Sequence, residues 1–184
     1  MTRSAVFLDR DDTLIRCRGV APDGDLGDPA LVELLPGVGQ GIDLLHEAGF
    51  ALVVVSNQGG VARGKYTLDD VGRVNERVNE LVAGRIEAFY VCPWHPQGVV
   101  APFAREHPWR KPQPGMLLQA ALDRGLDLAR SWLVGDASRD IEAGLAAGCR
   151  TVLVGAEAAP PSLPTLVAPD LLAAARLIVR QSEA

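Results

Sequence analysis

Two aspartates, Asp9 and Asp11, stand two positions apart directly after the apolar run Ala5–Leu8. If that run is a strand, side chains two apart start on the same side of the pleat and converge on one ligand. Close carboxylates repel unless a cation sits between them or one carries a proton, and both outcomes are chemically useful. Asp136 and Asp140 follow a second run, Trp132–Val134. At the same edge, Asp136 would add a carboxylate to Asp9 and Asp11, and hard oxygens of this kind suit Mg²⁺. Asp140, one helical turn on, reads as a charge at a helix start or as a partner behind the ion. Ser56 and Asn57 end the run Phe50–Val55 and offer a hydroxyl and an amide to a phosphoryl oxygen. Lys111 lies between Arg110 and Pro112, so a cation is presented from a stiffened backbone. Each motif alone also reads as a turn or a helix cap, and their combined order gives them weight.

The elements that must position these residues are visible as apolar runs and helical periods. Runs at Ala5–Leu8, Phe50–Val55, Ile86–Val91, Trp132–Val134 and Thr151–Val154 read as strands buried on both faces. Leu68, Val71, Val74, Val78, Leu81 and Val82 recur at helical spacing, with Thr67 and Asp70 as a capping signal. Helices are also expected at Gly37–Ala48, Pro114–Arg124, Ser138–Ala147 and Pro169–Arg180. Strands separated by crossover helices give an α/β fold, a three-layer, doubly wound parallel sheet. In such sheets ligands bind beyond the carboxyl ends of the strands, where the polar motifs fall. Ala156–Pro164, rich in Ala and Pro, reads as a surface loop.

At 184 residues the chain is expected to form one domain over residues 1–184, with loop 92–112 as an insertion on the substrate side. The hydrophobic share of 48% and charged share of 22% exclude collagen-like, coiled-coil and disordered chains. A formal charge of −5, with scattered Lys and Arg, argues against nucleic acid or anionic lipid as partner. Cys17, Cys92 and Cys149 are odd in number and irregularly spaced, which points to a reducing compartment, the cytoplasm. No run is long enough for a membrane span, and the protein is read as a monomer.

The order Asp9-x-Asp11-x-Thr13, Ser56, Lys111, Gly135-Asp136-x-x-x-Asp140 resembles the haloacid dehalogenase superfamily of phosphohydrolases, in a form without a separate cap domain. Phe7–Asp11, Ser56–Gly64, Cys92-Pro93-x-His95-Pro96 and Arg110–Leu117 are similar to the heptose bisphosphate and histidinol phosphate phosphatases, the heptose enzymes more so. The resemblance implies hydrolysis of a small phosphorylated sugar, with Mg²⁺ held by Asp9, Asp11 and Asp136 and with Asp140 behind them. Asp9 would be the nucleophile that forms an aspartyl-phosphate, and Asp11 the general acid and then base. Ser56 and Lys111 would bind the equatorial phosphoryl oxygens. Asn57, Gln58, Arg110 and Arg18 would contact substrate. Histidinol phosphate is the alternative substrate. A phospho-acceptor module that does not turn over is the alternative of another class, against which Asp11 argues, because a stable acceptor needs no second carboxylate there.

Two positions depart from the resemblance. Relatives carry a zinc knuckle in the loop, whereas here Trp94, His107 and Trp109 stand at three of its four ligand positions. Cys92, His95 and His107 supply at most three ligands, and indole supplies none, so a zinc-free loop packed by Trp94 and Trp109 is expected. Asp12 replaces a usual glycine, which places a less permissive residue and an extra negative charge beside a phosphate site.

Overall fold

The computed structural model describes residues 2–21, 23–155 and 163–182. Six parallel strands form one sheet in the order β3-β2-β1-β4-β5-β6. They are β1 (Ala5–Leu8), β2 (Ala51–Asn57), β3 (Ala88–Cys92), β4 (Trp132–Gly135), β5 (Arg150–Val154) and β6 (Leu166–Ala168). The helices are α1 (Val38–Glu47), α2 (Leu68–Leu81), α3 (Gly115–Arg124), α4 (Ser138–Ala146) and α5 (Leu171–Ser182). The expected α/β sandwich is the observed one. Its one unanticipated strand is β6, three residues long with Val167 61% exposed, too short and too open to leave an apolar run. Most of the expected Ala156–Pro164 loop lies outside the described residues.

Alternation along the strands builds two cores. Val6, Leu8, Leu52, Val54, Trp132 and Val134 face α1, α2 and α5, while Phe7, Val53, Val55 and Leu133 face α3 and α4. Thr67 and Asp70 form the anticipated capping box at the start of α2. The chain runs from β1 outward to β2 and β3, then crosses back to place β4 on the other side of β1. The winding therefore reverses between β1 and β4, and a crevice opens at their carboxyl ends. Asp9 follows β1 and Asp136 follows β4, one on each side of that crevice.

Candidate active site

The backbone of Asp9 is tied to β4, its N–H donating to Val134 O at 2.9 Å. Its carboxylate is buried, and Oδ1 receives Lys111 Nζ at 2.7 Å. The same ammonium reaches Asp140 Oδ1 and Val55 O, each at 2.7 Å. Asp9 Oδ1 and Val55 O accept hydrogen bonds from it, and Asp140 Oδ1 meets it as an ion pair. Burial works against the Lys111 charge, but Asp140 and Asp9 outweigh it and hold the ammonium above its usual range. The structure thus places the Lys111 ammonium against Asp9 and Asp140, where it orients the Asp9 carboxylate. Asn57, expected to touch substrate, instead binds the Lys111 backbone with both halves of its amide.

Asp9, Asp136 and Asp140 each bring a carboxylate oxygen to within 4.8 Å of the others. Asp140 is committed: Oδ1 faces Lys111, and Oδ2 accepts the Ala137 N–H at 3.1 Å. Gly135 lets it approach, since a Cβ there would lie 2.5 Å from Asp140 Cβ. Of three buried carboxylate oxygens without a hydrogen-bond partner here, Asp140 Oδ1 is ion-paired with Lys111, which leaves Asp9 Oδ2 and Asp136 Oδ1. Buried carboxylate oxygens that lack a donor are costly, and two such hard oxygens fit a divalent cation such as Mg²⁺. Burial pushes the Asp136 carboxyl up to about 6, Asp9 and Asp140 add to the rise, and Arg139 and Arg18 pull against it.

The Asp11 carboxylate does not join this trio, contrary to the convergence expected from its spacing. The strand ends at Leu8, and a turn follows in which the Leu14 and Ile15 N–H groups both donate to Arg10 O, so the two-residue period no longer applies. Asp11 Oδ1 receives Arg10 Nε and Nη2 at 3.2 and 3.1 Å, and Oδ2 receives Gln58 Nε2 at 2.7 Å and the Ser56 hydroxyl at 3.4 Å. Gln58 was expected to meet substrate. It is 1% exposed, and Tyr66 donates to its Oε1 at 2.9 Å, so its amide is fully engaged within the protein. Ser56 is likewise buried beside Asp11.

A cleft of about 240 Å³ opens over Asp9 and Asp11, lined by Arg18, Arg63, Arg110 and Arg139 among others. Arg18 and Arg110 were anticipated; Arg63 and Arg139 were not. Arg63 pairs with Asp25, and Arg139 lies 4.0 Å from Asp136 Oδ1. Both had a signal, Arg63 in the run after Ser56 and Arg139 beside Asp140, but nothing local separates them from solvated arginines. Five aspartates line the same cleft, and Arg18, Arg63 and Arg139 face carboxylates, whereas Arg110 makes no ion pair among the described residues. Burial lowers the Arg110 pKa and neighbouring Arg63 and Arg139 lower it further, so Arg110 is the cation an anion would relieve.

Asp12 has φ 58°, in the left-handed region that explains a usual glycine and that Asp tolerates better than most residues. Its Oδ1 accepts the Cys17 and Arg18 N–H groups at 2.9 and 3.1 Å, and Oδ2 faces Arg18 Nε at 3.2 Å. The extra carboxylate is thereby matched by Arg18, whose Nη2 reaches Asp136 Oδ2 at 3.1 Å.

In the loop after β3, Cys92, His95 and His107 do not come together as a ligand cluster among the described residues. His95 Nδ1 accepts the Gln97 N–H and His107 Nδ1 the Trp109 N–H, each at 3.1 Å. His107 stacks on Trp94 with ring centroids 3.6 Å apart, and Trp109 meets Trp94 edge-on at 6.3 Å. An aromatic stack occupies the centre of this loop.

Comparison with known proteins agrees with this geometry. The HAD-hydrolase-like family model matches residues 108–174. A D-glycero-D-manno-heptose-1,7-bisphosphate 7-phosphatase of Thermosynechococcus vestitus is 43% identical over 161 residues, covering 84% of this chain and 80% of that protein. A D-glycero-alpha-D-manno-heptose-1,7-bisphosphate 7-phosphatase of Burkholderia mallei is 36% identical over 157 residues, 84% of this chain and 80% of its own. The crystal structure of a D,D-heptose 1,7-bisphosphate phosphatase from B. bronchiseptica, complexed with magnesium and phosphate, superposes with a TM-score of 0.82 at 28% identity, covering 97% of this chain and 99% of that one. With sheet order, strand-end carboxylates and relatives in agreement, the chain belongs to the haloacid dehalogenase superfamily of phosphatases, in the family of these heptose bisphosphate phosphatases.

Proposed function

We propose that the protein removes the 7-phosphate of D-glycero-D-manno-heptose 1,7-bisphosphate through an aspartyl-phosphate on Asp9. The observation that carries this reading is Asp9 Oδ2, a buried carboxylate oxygen left without a donor while Lys111 holds its twin. A carboxylate oxygen of Asp9 attacks phosphorus, the bond from phosphorus to the sugar oxygen breaks, and Asp11 protonates that departing oxygen. Asp11 then takes a proton from the water that cleaves the acyl-phosphate. Asp9 and Asp136 would hold Mg²⁺, with Asp11 lining the same cleft; the ion would offset the repulsion between carboxylate and phosphate. Arg110 and Arg18 bind the anionic and hydroxyl-rich remainder of the substrate, and Arg63 and Arg139 add charge to the same cleft.

We place this reaction in the cytoplasm. Cys17, Cys92 and Cys149 are free, buried thiols, and burial pushes Cys17 and Cys149 up to about 12. No helix among the described residues is long and apolar enough to cross a membrane. The test is phosphate release from both anomers of the heptose bisphosphate and from histidinol phosphate, with Mg²⁺ and after chelation. The heptose bisphosphate should give the highest kcat/KM, and chelation should abolish turnover. A preference for histidinol phosphate would reassign the substrate, and stable phosphorylation without turnover would reassign the chain as a phospho-acceptor.

A further inference from the structure

We infer that Gln58 is a positioning residue for the acid–base aspartate, anchored at its far end by Tyr66, rather than a substrate contact. The inference deepens the proposed reaction and rests on Asp11 being its proton carrier. A hydrogen-bond chain runs from Tyr66 OH to Gln58 Oε1 at 2.9 Å, then from Gln58 Nε2 to Asp11 Oδ2 at 2.7 Å and to Ser56 Oγ at 2.8 Å.

The direction of the chain follows from the donor inventory. Asp11 as a carboxylate only accepts, so it requires the NH₂ end of the Gln58 amide. Asp11 itself sets the amide's orientation, since a flipped amide would set Oε1 against the carboxylate. Tyr66 OH anchors the other end by donating to Oε1, a buried oxygen for which no other donor is present among the described residues. The Tyr66 hydroxyl can do this only if its ring is fixed, and two glycines fix it. A Cβ at Gly27 would lie 2.5 Å from the ring, and one at Gly60 would lie 2.4 Å from it. The ring is therefore clasped between the loop after Asp25 and the turn after β2.

Asp11 also receives the guanidinium of Arg10, which is 0% exposed and donates also to Asn75 Oδ1 at 3.1 Å. Arg10, through both oxygens, and Gln58, through Oδ2, thus hold the carboxylate together, and the small displacement that loss of one grip permits falls on the group that must meet the departing oxygen. General acid–base catalysis is sensitive to such displacement.

The experiment compares kcat and KM for wild type, Gln58→Met, Tyr66→Phe and the double variant, on the heptose bisphosphate and on p-nitrophenyl phosphate, with melting temperatures alongside. Gln58→Met should lower kcat by about tenfold to a hundredfold with KM within about twofold. Tyr66→Phe, which keeps the ring and removes only the hydroxyl, should lower kcat by about threefold, and this loss should vanish in the Gln58→Met background. A raised KM with unchanged kcat would restore Gln58 as a substrate contact and overturn the inference, as would independent, multiplicative losses. If Gln58→Met melts early, the Tyr66→Phe loss still decides, because a variant at wild-type kcat overturns the anchoring role. Wild type active on the aryl phosphate alone would fail the heptose reading while the positioning test proceeds on that substrate; wild type inactive on both would overturn both.

Discussion

Asn57 holds Lys111 by its backbone: Oδ1 accepts the Lys111 N–H and Nδ2 donates to the Lys111 carbonyl, both at 3.0 Å. A side-chain amide that pairs with one residue's N–H and C=O acts as a strand neighbour would, and it fixes where that residue starts. The Lys111 ammonium, fully buried 2.7 Å from Asp9, depends on that origin. The last residue of β2 thereby sets the position of a loop residue more than fifty positions later in the chain.

Replacing Asn57 by Ala should therefore act on chemistry rather than on substrate binding. We expect kcat to fall by about tenfold or more with a smaller change in KM, since Asp9 loses the fixed ammonium that exposes Oδ2. Two lost hydrogen bonds should also cost about 1–3 kcal/mol of stability, read as a lower denaturant midpoint at unchanged slope. A rise in KM alone would make Asn57 the substrate ligand originally expected.

Asp9→Asn should abolish phosphate release, because an amide oxygen beside Lys111 is no nucleophile. Asp11→Asn should slow turnover by about two to four orders of magnitude with circular dichroism close to wild type, while melting falls because the buried Arg10 loses its carboxylate partner. Trapped phosphoenzyme in Asp11→Asn, detected with labelled substrate, would place the block at the second step. Normal rates in Asp9→Asn would remove the nucleophile assignment.

The sheet was legible because buried parallel strands leave continuous apolar runs, and Ala5–Leu8 and Trp132–Val134 need no partner to be recognised. The strand-end aspartates were legible for the same reason, as polar residues that interrupt such runs. What each side chain faces was not. Asn57 and Gln58 adjoin Ser56 in sequence, yet one turns to Lys111 and the other to Asp11, and only the return of loop 92–112 decides that. The three-carboxylate group departed from expectation because Asp11 lies past the end of β1, in a turn whose geometry belongs to its own hydrogen bonds. Arg139 becomes a cleft residue only through the crossing of β4 back beside β1.

The loop 92–112 should hold together without zinc. Trp94 stacks on His107 and meets Trp109 and Phe103, and Arg105 lies 5.6 Å over its ring. Protein purified without added metal should contain less than one zinc per chain, and a zinc chelator should leave its melting temperature unchanged. Trp94→Ala should cost about 2 kcal/mol, below the range for a fully buried Trp because this one is half-buried. One zinc per chain by elemental analysis would sink this reading of the loop.

Glu87 gives a pH dependence far from the cleft. Its Oε2 receives Arg3 Nη2 at 2.6 Å and Arg124 Nη2 at 3.1 Å, tying the segment before β1, the start of β3 and the end of α3. Burial opposes the Glu87 charge, but the two guanidiniums prevail and hold its pKa below the ordinary 4.5. A depressed carboxyl pKa means the unfolded chain binds more protons in that range, so the contribution is complete above 4.5 and is lost as pH falls through the folded value. Because the pair is largely exposed, its worth is that of a surface ion pair, about 0.5–1 kcal/mol. Glu87→Gln should thus be less stable than wild type by that amount at pH 7 in low salt, with the gap narrowing in about 1 M NaCl as the pair is screened. Denaturation of both proteins across pH 7 to pH 3 should show the two curves converging in acid; a gap that stays constant with pH would assign the effect to packing instead of charge.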